Sequence, residues 1–474
     1  MTLILKCPAV VIKEDTIMYR DINYLMERVS GAVIRPENER YDAARAGWNL
    51  IVDQRPDIII LAANEEDVVT AVSLANTINA PVTLQATGHG QPKACAGGIL
   101  INTSNLKSVE IDNTSKTATA GAGTIWKDVI EAAYPHGLAP VSGSSPDVSV
   151  VGFTVGGGYG ITSRMHGLSI DNVRSFRIVL PSGEITVATP DENSDLFFAV
   201  MGGGGSFGVV TEITIDLHDH SEVFGGSVMF DASLAPEVYG AYAAWAPTLP
   251  DEVTSALHLM TFPPVPFIPE FLHGRSMAIV IACACGQLEN AEKWLKPMRS
   301  MKGAEFDSFR NMPYTESGSI FQDPVDPLPI SGHGVLLDDF TVEASGFFLE
   351  GIGPIPRSPN LMIQLRQLGG AIARRQDPRA CILRNRRAKY LAYCVGIPMP
   401  DNPPEIISAH AEGVFKAIEP WVLSRGPLNF LGEGTVPAST IRSVFSDEEY
   451  ERILKVKNAV DPLNRFSNAG PGIR

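Results

Sequence analysis

Three glycine-rich segments limit what this chain can fold into more than any other feature: QATGHGQ at 85–91, SGSSPDVSVVGFTVGGGYG at 142–160 and GGGGSFGVV at 202–210. Glycine at a chain reversal lets main-chain N–H groups close on a pyrophosphate or a flat ring with no Cβ in the way. One such loop reads as an ordinary tight turn. Three in order, between strand-like runs, suit one extended, anionic ligand.

The surrounding pattern supplies the frame. DIIILAA reads as a short buried strand; Asn64 caps a helix with Asp67 three residues on, and Val68, Val72, Ala75 and Ile78 share its inner face. PVTLQA returns as a strand and breaks at Thr87-Gly88-His89-Gly90. GILINTSNL and SVEID are further strands, and TATAGAG leads into a helix with Trp126, Val129, Ile130 and Ala133 inward, closed by Pro135 and Gly137. SFRIVLPSGEITVAT predicts a hairpin turning at Pro181-Ser182-Gly183. From about 220 to 415 the chain turns proline-rich and loses the glycine segments. In the last stretch Ser446 and Glu449 form a capping box for a helix that Pro462 stops.

Composition narrows the class. Of 474 residues, 45% are apolar and 19% charged, which supports a packed core. At ~150 residues per domain the length predicts two large domains or three smaller ones. With 38 basic against 53 acidic residues the net charge is −15, which argues against a nucleic-acid partner. The basic segment from Arg366 to Lys389 (Arg374, Arg375, Arg379, Arg384, Arg386, Arg387) reads as a solvated face, with an anion site as the alternative. The apolar run Met277 to Cys285 is far short of the ~20 residues that cross a bilayer, and the N-terminus lacks a signal-peptide pattern. Six scattered cysteines (Cys7, Cys95, Cys283, Cys285, Cys381, Cys394) suit a reducing compartment, so a soluble, unprocessed, cytoplasmic protein is expected.

Several motifs are excluded by context. Gly204-Gly205-Ser206-Phe207-Gly208 fits GxSxG, but that nucleophile elbow must open a helix, and VVTEITIDL alternates as a strand. Gly121-Ala122-Gly123 lacks the third glycine of a Rossmann fingerprint, and no GxxxxGK[ST] or HExxH occurs. His218 and His220 read as surface residues, and Cys283 with Cys285 alone is no metal site.

From about residue 55 to 218 the motif order resembles the FAD-binding domain of the vanillyl-alcohol-oxidase and p-cresol-methylhydroxylase superfamily, and within it the berberine-bridge-enzyme-like oxidoreductases. Gly88-His89 matches the family's turn ending Gly-His; GGGYGITSRMHGLSIDN matches the loop before YGLxxDN; GGGGSFGVVTE matches GGGNFGVVTE. LRQLGGA at 365–371, LNF at 428–430 and VDPLNRF with Asn468 extend the resemblance to most of the chain. It implies an α+β fold: a PCMH-type FAD-binding domain of two α/β subdomains, and a substrate domain with an antiparallel sheet and flanking helices. The domains would be an N-terminal segment at 1–50, the FAD domain at 51–218, the substrate domain at 219–415, and a segment at 416–474 completing the FAD domain. FAD would be held by Ala86, Thr87, Gly88, His89, Gly90 and Gln91, by Ser145, Ser149, Val150, Gly152, Gly156, Gly157 and Gly160, and by Leu168, Asn172, Val210 and Asn468.

The resemblance further implies a covalent bond from His89 to the flavin. Ser145 stands where many relatives place a cysteine before proline, so no cysteinyl link is expected. Gln85 replaces an arginine, and Phe153 a histidine. Pro427-Leu428-Asn429 aligns with Tyr-x-Asn, so that family's catalytic tyrosine is missing. The catalytic candidates are then Tyr159, Asn429 and Tyr393, with Tyr390 beside it; ring packing is the alternative for each tyrosine. Val148 occupies a position where some plant relatives carry valine in oxidases. The expected activity is hydride transfer from an alcohol, sugar, amine or secondary metabolite to FAD and then to dioxygen. A dehydrogenase with another acceptor, or a redox-neutral cyclase or isomerase, stays as alternative. The partners implied are a small-molecule substrate and dioxygen, alone or as a homodimer, without membrane or nucleic acid.

Overall fold

A computed structural model of the protein describes residues 23–90, 93–266, 268–374, 385–432 and 436–473. Gln91, Cys7, Cys381, Arg375, Arg379 and Arg384 lie outside the described residues. Three sheets organise the rest. The first joins β1 (Ala32–Ile34), β2 (Ile58–Leu61), β3 (Val82–Gln85) and β4 (Ile99–Asn102) in the order β1-β2-β4-β3. β4 runs parallel to both β2 and β3, and IIIL and the ILI of β4 are apolar because the inner strands of such a sheet are covered on both faces. The helix Glu65–Thr77 between β2 and β3 starts as expected, with Asn64 Oδ1 accepting from the Asp67 N–H at 2.9 Å. The Asp67 carboxylate in turn accepts from the backbone N–H groups of Ser30, Gly31 and Ala63 at 2.7–2.9 Å, tying the chain before β1 to this helix.

The second sheet is antiparallel: β5 (Val109–Asp112), β6 (Thr117–Gly121), β7 (Val173–Val179), β8 (Ile185–Ala188) and β9 (Val209–Asp216), in the order β5-β6-β9-β7-β8. The β7–β8 hairpin turns where expected, with Gly183 at φ +88°. The third, nine-stranded and antiparallel, holds β10 (Glu222–Asp231), β11 (Val253–Thr261), β12 (Ser276–Ala284), β13 (Ala304–Asp307), β14 (Arg310–Pro313), β15 (Ser331–Leu337), β16 (Met362–Gln367), β17 (Tyr390–Gly396) and β18 (Val422–Arg425). Its central strands bury alternate residues on opposite faces. Leu257, Leu259, Val280, Ile363, Leu365 and Ala392 pack beneath the helices Ala235–Trp245, Val342–Ile352 and Pro404–Ala417. The alternate set faces the first two sheets.

The α+β class and its antiparallel substrate sheet agree with expectation, while two boundaries shift. β1 lies before residue 51 and belongs to the first sheet. β18 lies after residue 415 and pairs with β15 of the third, so the C-terminal segment joins both halves. Beyond it the helix Asp447–Val460 carries the expected capping box, with Ser446 Oγ accepting from the Glu449 N–H and Glu449 accepting from the Ser446 N–H. This helix returns to the FAD side: Lys457 Nζ donates to the Ser206 carbonyl at 2.7 Å and pairs with Asp461 at 2.6 Å, and the Val82 N–H donates to the Arg465 carbonyl.

Two arginines bind the halves together. Arg164, from the short helix Ser163–His166, donates to the carbonyls of Leu249, Pro250, Val253 and Leu368, all in the third-sheet half. Arg386 makes a two-pronged pair with Asp171 at 2.6 and 2.8 Å. Removing the Arg164 guanidinium leaves several buried carbonyls without donors, at ~1–3 kcal/mol for each group that finds no other partner. Arg164→Leu is therefore expected to lower unfolding free energy by at least ~3 kcal/mol. Urea denaturation reads this, and a wild-type midpoint would mean that other donors satisfy those carbonyls.

Candidate active site

The space between the halves is a cavity of about 1280 Å³. Sites for one drug-sized ligand occupy ~300–1,000 Å³, so this one has room for a large cofactor and a substrate together. Parts of all three glycine-rich segments form its floor: Gln85 to Gly90, Gly143 to Gly156, and Gly204 with Gly205. Their bare backbone is required by close approach. A Cβ on Gly205 would meet the Ala469 carbonyl and Leu84, and one on Gly88, at φ +73°, would lie 2.5 Å from Gly47 Cα. Floor and C-terminal residues thus interlock where the ligand would lie.

His89 stands at the rim of this floor. Its ring stacks on Trp48, with centroids 4.6 Å apart and planes 13° from parallel. Nδ1 is 2.8 Å from Thr87 Oγ1, and Nε2 is buried without a hydrogen-bond partner among the described residues. Burial holds the imidazole neutral, moving its pKa down to about 4. A neutral, fixed imidazole with one nitrogen unsatisfied is a competent nucleophile.

Of the residues expected at the cofactor, Ala86, Thr87, Gly88, His89, Gly90, Ser145, Ser149, Gly152, Gly156 and Val210 line the cavity. Six others stand behind its wall. Val150 is fully buried in the helix Val150–Val155; Gly157 and Gly160 turn the chain between that helix and the next; Leu168 is fully buried. Asn172 spends its amide on the Leu168 and His166 carbonyls and on His218 Nε2. Asn468 is buried next to Ala469, Gly470 and Pro471, which do line the cavity.

The catalytic candidates separate in the same way. Asn429 Oδ1 accepts from the Gly158 N–H at 2.9 Å and its Nδ2 donates to the Phe153 carbonyl at 3.2 Å. With both polar atoms on backbone it positions the second glycine segment and is not free to move protons. Tyr159 lines the cavity, edge-on to Phe430, and among the described residues its hydroxyl makes no hydrogen bond. Burial pushes this phenol far above its ordinary pKa, an effect the Arg386 charge opposes and Asp171 reinforces. It rests as a neutral hydroxyl facing the cavity. Tyr393 faces the cavity from β17, edge-on to Phe430 at 5.0 Å. Tyr390, three residues earlier, points to the opposite face and packs on Phe340.

The roof supplies residues that sequence reasoning missed. Met229, His258, Met260, Ile279, Ile281, Gln364 and Arg366 alternate inward along β10, β11, β12 and β16. Among the described residues His258 Nε2 is buried without a hydrogen-bond partner, and burial with the nearby Arg366 charge moves its pKa down to about 3. Arg366 donates to Gln364 Oε1 and lies over the Phe321 and Phe430 rings. The signal was available: polar residues at period two in strands otherwise apolar.

The solvated-face reading of the basic segment therefore fails for Arg366, which faces the cavity, and for Arg386, which is half-buried and paired with Asp171, and holds for exposed Arg374 and Arg387. His218 and His220 are not free surface residues either. Their rings stack with His166, because the link from β9 to β10 runs beneath the helix Ser163–His166. Ser206 is fully buried and followed by β9, which excludes the nucleophile elbow.

Residues 56–189 match the family model described as an FAD binding domain. The chain is 26% identical over 459 residues to (R)-6-hydroxynicotine oxidase of Paenarthrobacter nicotinovorans, covering 92% of this chain and 95% of that protein. The crystal structure of 6-hydroxy-D-nicotine oxidase from Arthrobacter nicotinovorans superposes with TM-score 0.81 at 22% identity, over 94% of this chain and 98% of that one. A berberine-bridge-enzyme-like protein of Physcomitrella patens gives 0.80 at 18%, over 96% and 99%. The chain is an FAD-dependent oxidoreductase that shares its fold with these two structures. The cradle fits that cofactor: glycine floor, unsatisfied His89 nitrogen and a cavity of sufficient volume coincide.

The two neutral histidines make the oxidoreductase acid-sensitive. Unfolded histidine takes a proton near pH ~6.5, whereas folded His89 and His258 do so only at about 4 and about 3. Between those values the unfolded chain binds more protons, so stability is full above ~6.5 and falls as pH drops through the window. Urea titrations of flavin-free protein above and inside that window should register the loss. Replacing both histidines by glutamine should flatten it, and an unchanged slope would assign the sensitivity to other groups.

Proposed function

We propose that the protein is an oxidase that removes a hydride from a small alcohol or amine with an apolar body, with FAD attached through His89 and dioxygen as acceptor. The observation that carries this reading is His89, held neutral against Trp48 with one unsatisfied nitrogen at the edge of the glycine floor. Bound in the cradle, FAD supplies the two-electron acceptor and the route to dioxygen.

The chain's own residues set up the reaction. Floor amides from the glycine segments would hold the cofactor, and Asn429 keeps the second segment in place. Met229, Met260, Ile279, Ile281 and Phe430 enclose the substrate in apolar surface and exclude water. Such a lining supports an apolar or flat substrate over a sugar, whose many hydroxyls would lose water without finding partners. Tyr159, as a neutral phenol, holds the substrate's oxygen or nitrogen by hydrogen bond, while Arg366 and Gln364 offer a polar anchor at the roof. Ser145 leaves the attachment to one bond, and Val148 lines the same cavity.

Denatured protein should retain its yellow colour, and a tryptic peptide containing His89 should carry the mass of FAD. His89→Ala should release the colour on acid precipitation while still binding FAD before it. A colourless wild-type pellet would end the covalent assignment. Peroxide formed one-for-one with oxidised substrate would support the oxidase reading; its absence during turnover with an artificial acceptor would replace oxidase by dehydrogenase.

Tyr159→Phe should slow single-turnover flavin bleaching by roughly 10²-fold with flavin content intact. An unchanged rate would return Tyr159 to ring packing.

A further inference from the structure

A second cluster of chemistry-bearing side chains lies outside the cavity, at the junction of the two halves. His166 ends the helix Ser163–His166, His218 and His220 sit in the link between β9 and β10, and Cys285 directly follows β12. The His166 and His220 rings lie parallel within 4°, with centroids 5.0 Å apart, and His218 stacks on His166 at 3.7 Å. One ligand atom each of His166, His220 and Cys285 falls within 4.8 Å of the other two. The thioether sulfur of Met165 is 3.4 Å from Cys285 Sγ. His220 Nε2 is buried and has no hydrogen-bond partner among the described residues. None of the four lines the FAD cavity.

We propose that His166, His220, Cys285 and Met165 form a binding site for one copper(I) ion, separate from the flavin. Two imidazoles, a thiolate and a thioether are a donor set that soft metal ions select. The thioether distinguishes copper from zinc, whose usual ligands are thiolate, imidazole and carboxylate. On binding, the Cys285 S–H bond breaks, its proton leaves to solvent and a sulfur–copper bond forms; no electron is transferred. Thiolate and copper(I) cancel in charge, which suits a largely buried position.

Metal–nitrogen and metal–sulfur bonds of ~2.0–2.3 Å require the donors to close by about 1 Å. Rotation of the flexible Met165 side chain and of the partly exposed histidines can supply that movement. Asn172, which bonds His218 Nε2, keeps the third ring stacked against His166 and outside the donor set. The ligands come from the FAD half, the link and the roof sheet, so the ion would cross-link all three. Tyr314, edge-on to His220, anchors the same junction through Ser142 and the Pro140 carbonyl.

The test uses purified flavin-loaded protein, copper(I) and a chromophoric copper(I) chelator as competitor, followed by gel filtration and metal analysis. One copper per chain is expected. Cys285→Ser and His220→Gln should each weaken binding by at least about tenfold while flavin absorbance stays unchanged as the control for folding. Ferricyanide oxidation of the copper-loaded protein should add a cupric electron-paramagnetic signal and a thiolate-to-copper absorption band, both absent from Cys285→Ser. If either variant fails to fold, Met165→Leu, a volume-conserving change, must still weaken copper binding. Substoichiometric copper in the wild type, or affinity unchanged in the variants, overturns the site. Retention of zinc in preference to copper through the same residues overturns its assignment to copper.

Discussion

The molecule depends on a polar clamp more than on any one apolar patch. Arg164 spans from the FAD half to four carbonyls of the substrate half, and the Arg386–Asp171 pair repeats the connection nearby. A guanidinium directs its donors in a fixed plane, so it sets angle as well as distance between the bodies it joins. Apolar burial alone would hold the halves together without defining how far apart floor and roof stand. These two arginines, with Tyr314 on Ser142 and the Pro140 carbonyl, set the separation across the cavity.

The same logic explains the chemistry of the interior. Once the halves close, His89, His258 and Tyr159 lose water on most sides. His89 and His258 are held neutral by that burial, and the Tyr159 phenol is held protonated. The site therefore meets a substrate with uncharged hydrogen-bonding groups, and Arg366 is the charged contrast at the roof. Such a setting strengthens each polar contact and makes any unmatched polar group on a substrate expensive to bury.

What was legible in the sequence followed from local rules. Asn64, the capping box at Ser446 and Glu449, the Pro181-Ser182-Gly183 turn and the glycine segments each act through their own backbone, so a one-dimensional reading finds them. What was missed depends on pairing between distant strands. Gln364 and Arg366 look like interruptions in an apolar run until β16 lies between β11 and β17, where alternate positions face the cavity. His220 looks exposed until the turn after β9 places it on His166. Asn429 is a catalytic candidate in the sequence, yet its amide is taken by Gly158 and Phe153, a commitment made across 271 residues of chain.

The return of the C-terminus to the first sheet governs how the protein is made. Val82 and Ser206 receive partners from Arg465 and Lys457, and Ala469 to Pro471 complete the wall beside Gly205. A growing chain can pair β2, β3 and β4 early, but the cradle is complete only once residues 457–471 have folded back against the first sheet and Gly205. A chain without Ala469, Gly470 and Pro471 would keep its entire third sheet and lose this side of the cavity wall.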